Sequence, residues 1–472
     1  MRDAGASSGE RSDDGTVQVA DVDGRRERRI ARAVTWGTLG VVLLGAAAEI
    51  EAWPVTSFRL FSTVRTADGA TTSLVAIRPD GSQVTVRLPD DQVLATTSHQ
   101  ARRPAPPVRA PAARRGGRVA ARRGPRPGRL RRGRRRPVGV DHGPGHARAR
   151  GARHDPARGG PAVTTTPAPT PTGTTTPAPA DGGRVARFVR GIDARLTAPG
   201  PGFRLLEVHT LVALVIGLRL VARDWSAIAE RPAALTDGLT FVSWLPHVPD
   251  RFLVALAVIG VGGVGLVVAR RRAQLGFVVA WTAYAVLCAL WGSSGKVMHN
   301  DVMTVWVGFV LLFARVPRRG QDDERTVAFG WPPRAALAVL AVVYWLTGVQ
   351  KLRHSGIEWA LSDNMSWILR QGGDAPASGL GHWVADHVLI AGALATGALL
   401  LELTAPVWLA WRRTRAPFAL AVAVMHTSIW LFLGLDYSAW VLTAAAVAVP
   451  MSLAPTRRLG DFRGFGTISG RG

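Results

Sequence analysis

Only two of the 58 basic residues in this chain of 472 are lysines, Lys296 and Lys351. The excess of arginine is what a GC-rich gene encodes, so a lysine kept against that bias points to its chemistry. Lysine can lose its proton when desolvated and act as a base, whereas arginine cannot. Lys351 lies in the run Thr347-Gly348-Val349-Gln350-Lys351-Leu352, followed by Trp359, where it closes an apolar helix and opens a polar loop. Three other stretches carry groups of matching use. Lys296 and His299 precede Asn300-Asp301, Glu402 stands in Leu401-Glu402-Leu403-Thr404-Ala405-Pro406, and His426 stands in Met425-His426-Thr427-Ser428. A neutral lysine could take a proton, and His426 could hold an oxygen on which negative charge develops. Glu402 could pair with a cation or keep a protonated carboxyl near it. The same residues have structural uses. Lys351 can snorkel from a helix end, His426 and Glu402 can bridge helices, and Lys296 and His299 can sit at the interface.

The elements that would position them are membrane helices. Apolar runs cover 34–52, 205–221, 252–269, 275–291, 302–312, 335–349, 388–411, 418–434 and 438–453, and spans of about 17–20 residues cross a bilayer. The fold class is all-α, a polytopic transmembrane bundle of eight or nine spans. Ionisable groups at the centre of such helices cost about 2.5–3.5 kcal/mol each, so each calls for a partner. Arginines gather at Arg270, Arg271 and Arg272, at Arg315, Arg318 and Arg319, at Arg412, Arg413 and Arg415, and at Arg457 and Arg458. The rule that basic loops stay inside makes all four clusters cytoplasmic and puts 354–387, just after Lys351, on the outer face of a bacterial plasma membrane.

The rest of the chain divides by composition. Residues 1–33 read as a disordered cytoplasmic tail and 34–52 as an uncleaved anchor. Residues 53–98 read as a small extracytoplasmic module with a β-hairpin turning at Pro79-Asp80-Gly81. Residues 99–180 form an Arg/Pro/Thr-rich low-complexity linker, 181–455 the membrane domain and 456–472 a tail. The formal net charge of +25 is concentrated in 101–160, which holds neither aromatic residues nor Lys or Glu. Three readings of that stretch stay open: a frameshifted segment, a genuine disordered linker, or an unspecific phosphate-binding arm. Without interleaved aromatics no specific nucleic-acid recognition is expected. A topological mismatch accompanies it. An anchor that starts inside leaves Glu51 outside, yet Arg184, Arg187, Arg190 and Arg195 belong inside, with no apolar span between. The single cysteine, Cys288, excludes an intrachain disulfide and any cysteine cluster. The spacing of His299, His382, Asp386 and His387 matches no strong ligand pattern, so no metal is expected.

The order Lys296/His299, then Gly-Val-Gln-Lys351-Leu with Trp359, then Leu-Glu402-Leu-Thr-Ala, then His426 resembles the HTTM domain over roughly 203–450. That domain is shared by vitamin K-dependent γ-glutamyl carboxylases and many bacterial membrane proteins. The resemblance implies a multi-helix membrane bundle with its active face outside. It implies that Lys351 is the base that deprotonates a reduced vitamin K-like quinone, with His426 and His299 in the active region. Lys296, Glu402 and Trp359 are then the residues that hold the substrate. The partners so implied are the bilayer and a quinone-like small molecule. Nothing in the chain resembles the soluble region with which the animal carboxylase binds its protein substrate, so quinol oxidation is the expectation rather than protein carboxylation. Two readings from other classes stand beside it: a non-enzymatic membrane scaffold or small-molecule binder, and a DoxX-like partner in membrane redox complexes.

Overall fold

In the computed structural model, described for residues 14–58, 62–65, 72–85, 119–123, 183–229, 248–292, 299–372 and 375–461, the chain is mostly helical with very little sheet. The described residues of Met1–Gly124 and Val189–Gly472 form one compact unit; Pro125–Phe188 is a second, described only for 183–188.

The principal helices are α1 (Asp14–Ala47), α2 (Arg184–Leu196), α3 (Gly202–Ala222), α4 (Asp250–Val268), α5 (Ala273–Gly292), α6 (Val302–Leu311) and α7 (Val327–Ser355). After them come the short α8 (Glu358–Leu361) and α9 (Asn364–Leu369), then α10 (Ser378–Asp386), α11 (Val388–Leu403), α12 (Ala405–Ala410), α13 (Arg412–Leu433) and α14 (Ser438–Ser452). Among the described residues six helices are long and apolar enough to cross a membrane: Gly24–Ala47 within α1, then α3, α4, α5, α7 and α13. The pair α10 and α11, bent by 104°, makes a seventh if it counts as one span, and α6 and α14 are shorter apolar helices. Large apolar side chains such as Leu218, Val258, Leu389, Leu420 and Val424 are exposed on these helices. Such a surface is stable against lipid rather than water.

Several sequence boundaries move. Helix α1 starts at Asp14, inside the stretch 1–33 read as a tail, and runs through the basic segment into the apolar one. Arg and Glu are good helix formers and lengthen a helix that the bilayer already nucleates. The run expected at 388–411 is broken at Thr404. There the Thr404 hydroxyl donates to the Leu400 carbonyl at 2.6 Å, and Pro406 opens α12 without an amide donor. Lys351 does not end its helix. The helix continues one turn to Ser355 and stops at Gly356, whose φ of 60° suits a residue without a side chain.

The first residues after α1 pack into the main core. Trp53 and Phe58 are buried in the main core, and Glu51–Ala52 pairs with Val55–Thr56 as a two-stranded ribbon. Farther on, Thr72–Ile77 pairs antiparallel with Gln83–Thr85, in the register Ala76 opposite Val84. On its other edge lies Val119–Arg123, a strand inside the Arg/Pro/Thr-rich stretch. Most of 99–182 lies outside the described residues, and with it the frameshift reading and the topological mismatch.

Two ends of the bundle are tied by different chemistry. At one end Arg270 grips Asp322 through both guanidinium nitrogens, at 2.7 and 3.0 Å. Nearby, Arg458 meets Asp323 at 2.6 Å and Arg415 donates to the Met451 carbonyl at 2.7 Å. The bond from Arg270 holds the half-buried Asp322 carboxyl below its ordinary pKa. All of these arginines come from the clusters that the sequence places together inside. At the other end, Gln350 donates to the Ala46 carbonyl at 2.9 Å, and Ser355 donates to the Ser62 carbonyl at 2.6 Å.

Candidate functional site

Lys351 sits in the last turns of α7, only 4% exposed. That burial rules out a snorkelling cation, which would keep its ammonium in water. The ammonium donates to both carboxylate oxygens of Glu402, which is 6% exposed near the end of α11. It also lies 4.8 Å from the ring centroid of Trp359 on α8, within cation–π range. Two helices must come close for this pair to form, and Gly348 permits it. A methyl group at Gly348 would stand 3.0 Å from Leu403 and 3.1 Å from the Glu402 Cβ. Trp359 is held in turn by Asn364, whose amide donates to the Trp359 carbonyl at 3.1 Å. The Asn364 side-chain oxygen accepts from the Arg65 backbone amide at 2.7 Å, so the segment after α1 closes over this corner.

His426, on α13, is 5% exposed and lies within the electrostatic reach of Lys351. Its Nε2 is 3.3 Å from the Tyr344 hydroxyl. Its Nδ1 is buried and has no hydrogen-bond partner among the described residues. The ring stands among Tyr437 (centroids 5.2 Å apart), Trp440 (5.9 Å) and Tyr344 (6.2 Å). A buried ring nitrogen without a partner is costly unless something else can bond it. Lys351, Glu402, Trp359 and His426 therefore gather where α7, α8, α11 and α13 meet.

His299 is tied to Thr56 and Trp440. Its ring Nε2 is 2.7 Å from the Thr56 hydroxyl, and its carbonyl accepts from Trp440 Nε1 at 2.7 Å. Its link to His426 runs through the Trp440 indole, so its placement is that of a supporting residue. Lys296 lies outside the described residues. Of the residues weighed for an outer metal site, Asp386 and His387 have other partners. Asp386 accepts from Arg370 at 2.7 Å, and His387 Nδ1 is 2.7 Å from the Trp383 carbonyl. Among the described residues no group of three or more potential metal ligands is gathered.

Sequence reading missed a second buried cluster. Arg219 on α3 donates to Asp301 at 3.2 Å, to Asp436 at 2.7 Å and to the Ser438 hydroxyl at 2.9 Å. Arg223 donates to the second Asp301 oxygen at 2.7 Å, and the Tyr284 hydroxyl donates to the first at 2.6 Å. Arg223 also lies over the rings of Trp291 and Trp225, 4.8 and 5.2 Å from their centroids. Burial alone would raise the Asp436 carboxyl, but the Arg219 charge and the Ser438 hydroxyl and amide outweigh it and draw its pKa below the ordinary value. One signal was available: an arginine inside the 205–221 run needs a carboxylate partner. Tyr344, Tyr437 and Trp440 gave none, because aromatics in apolar runs are the usual filling of a bundle.

Comparison with family models, with curated proteins and with solved structures returns no match.

Proposed function

We propose that this is an HTTM-like integral membrane protein that oxidises a reduced, vitamin K-like quinone with Lys351 as the base. The observation that carries this reading is the convergence of Lys351, Glu402, Trp359 and His426 in one buried corner. The single proton held between Lys351 and Glu402 is its chemical core. With that proton on Glu402, the amine is neutral and free to accept a phenolic proton from a hydroquinone arriving through the bilayer. His426 Nδ1, buried without a partner among the described residues, offers the hydrogen bond to a ring oxygen. Trp359 supplies an apolar face for the ring. In the oxygenation, one atom of dioxygen enters the quinone as an epoxide. The other leaves as water with the two hydrogens of the hydroquinone.

In this reading the bundle has nine spans: the six long helices, the bent pair α10 and α11, and the two short helices α6 and α14. The protein lies in a bacterial plasma membrane with the Lys351 end outside, and the hairpin at 72–85 faces outward. The arginine clusters at the opposite end support that orientation. With Cys288 replaced by serine, a lone cysteine at the exposed Ile357 should react with an impermeant thiol reagent in intact cells. Reaction only after lysis reverses the orientation. The enzymatic reading is tested by quinol-dependent oxygen uptake, which Lys351→Arg, with its charge kept beside Glu402, should abolish in folded protein.

A second reading is favoured by one specific observation. Both Glu402 oxygens are taken by Lys351, as a purely structural pair would have them. In that case the bundle is a non-enzymatic scaffold or small-molecule binder, or a DoxX-like redox partner, and Lys351→Ala changes stability alone.

A further inference from the structure

The end of the bundle opposite Lys351 carries a cavity of about 250 Å³ between the turn joining α4 to α5 and the segment after α6. Arg270, Arg272, Arg318 and Arg319 line it together with Gln274 and Leu275. These arginines are not equivalent. Arg270 is committed to Asp322 through two hydrogen bonds. The side chains of Arg272, Arg318 and Arg319 have no acidic partner among the described residues, and all three are exposed. Of the acids nearby, Asp322 is engaged by Arg270 and Asp323 by Arg458, and Glu324 accepts from Gln321. The cavity thus keeps a positive excess.

Two backbone features sharpen it. Arg270 and Arg272 have φ of 54° and 49°, the left-handed region in which glycine is the usual residue. The rule that retains arginines inside asks for charge in the loop, not for charge at strained positions around a cavity. The first turn of α5 also lines the cavity, so the positive end of that helix faces it. Next to it the wall is apolar and open: Leu275, Val278 and Leu266 are exposed along α5 and α4, and Phe313 beyond α6.

We propose that this cavity binds the phosphate group of an anionic membrane lipid, with the acyl chains along the exposed α4–α5 face. The inference rests on the membrane reading above but not on the chemistry at Lys351. A lipid is favoured over free phosphate because the apolar strip continues from the arginines. Charge supplies the recognition, and a zwitterionic headgroup brings a cation that the arginines repel.

The test uses the full chain in detergent and in nanodiscs. Native mass spectrometry after mild delipidation should show phosphatidic acid or phosphatidylglycerol retained in preference to phosphatidylcholine. The retention should fall as sodium chloride rises. The triple variant Arg272→Gln, Arg318→Gln, Arg319→Gln should weaken it by about fivefold per residue, and the triple lysine variant should keep most of it. Retention of anionic lipid that is insensitive to salt, or equal in the glutamine variant, overturns the proposal. So does inorganic phosphate that competes as strongly as the lipid. Failure of the chain to enter nanodiscs at all would instead refute the membrane reading. Entry without headgroup selectivity refutes this inference alone.

Discussion

The two buried ionic clusters answer the same problem, charge inside an apolar bundle, in opposite ways. The Arg219–Asp301 cluster spreads two guanidiniums over two carboxylates, a tyrosine and a serine, so each charge has several partners and the loss of one leaves others. The Lys351–Glu402 pair has fewer ties: the Thr347 hydroxyl is a further contact of Glu402, an indole face lies beside the ammonium, and a histidine nitrogen without a partner among the described residues is nearby. Redundant sharing fixes the approach of α3, α5 and α14. A minimal pair with one movable proton is a poor brace and a good acid–base device.

The largest effect should come from splitting the minimal pair. Glu402→Leu leaves the Lys351 ammonium buried and alone, which costs about 3–5 kcal/mol, whereas replacing both residues by apolar ones of similar size should restore most of that. Thermal unfolding of the single and double variants checks it; a double variant no better than the single one would make the pair a brace after all. Arg223→Gln should cost less than Glu402→Leu, because Asp301 keeps Arg219 and Tyr284. An equal loss would erase the contrast between the two clusters.

Gly348→Ala is expected to cost about 1–3 kcal/mol by pressing α7 from α11 at Leu403 and Glu402. It should lower quinol-dependent activity more than it lowers stability, since the displaced group is the partner of Lys351. The smallest effect concerns pH. The Asp436 and Asp322 carboxyls have folded pKa values below their unfolded ones, so their contribution is present above an unfolded pKa of about 4 and is lost as pH falls through the folded value. Asp436→Asn should flatten the acid side of the stability profile by lowering stability at neutral pH, while leaving the acid end nearly unchanged. Denaturant titrations across that window measure it.

Much of this architecture was legible because bilayer thickness writes itself into runs of apolar residues. The nine runs read from the sequence each coincide with a helix, although two fall short of a full crossing and one is broken at Thr404 and bent at His387. Lys351, Glu402, Trp359 and His426 were legible as ionisable or aromatic exceptions near or within such runs, and a buried charge must find a partner. Their pairing was not legible. It depends on a close approach of α7 and α11 that Gly348 allows, and on a helix that runs past Lys351 to Gly356. The partners of His299, Thr56 and Trp440, were not legible either, since the packing of α14 decides where the indole lies. The Arg219 cluster went unread because its members are scattered from α3 to the loop before α14, and no local period joins them.

The central claim is that Lys351 is a base and not a fixed cation, and replacing it by arginine tests that most directly. Arginine keeps the charge and can still meet Glu402, but it does not give up its proton at any pH the protein tolerates. Quinol-dependent oxygen uptake should be lost in Lys351→Arg as completely as in Lys351→Ala, while Lys351→Arg unfolds at close to the temperature of the parent protein. Uptake retained in the arginine protein would contradict the account and leave Lys351 as one half of a structural ion pair.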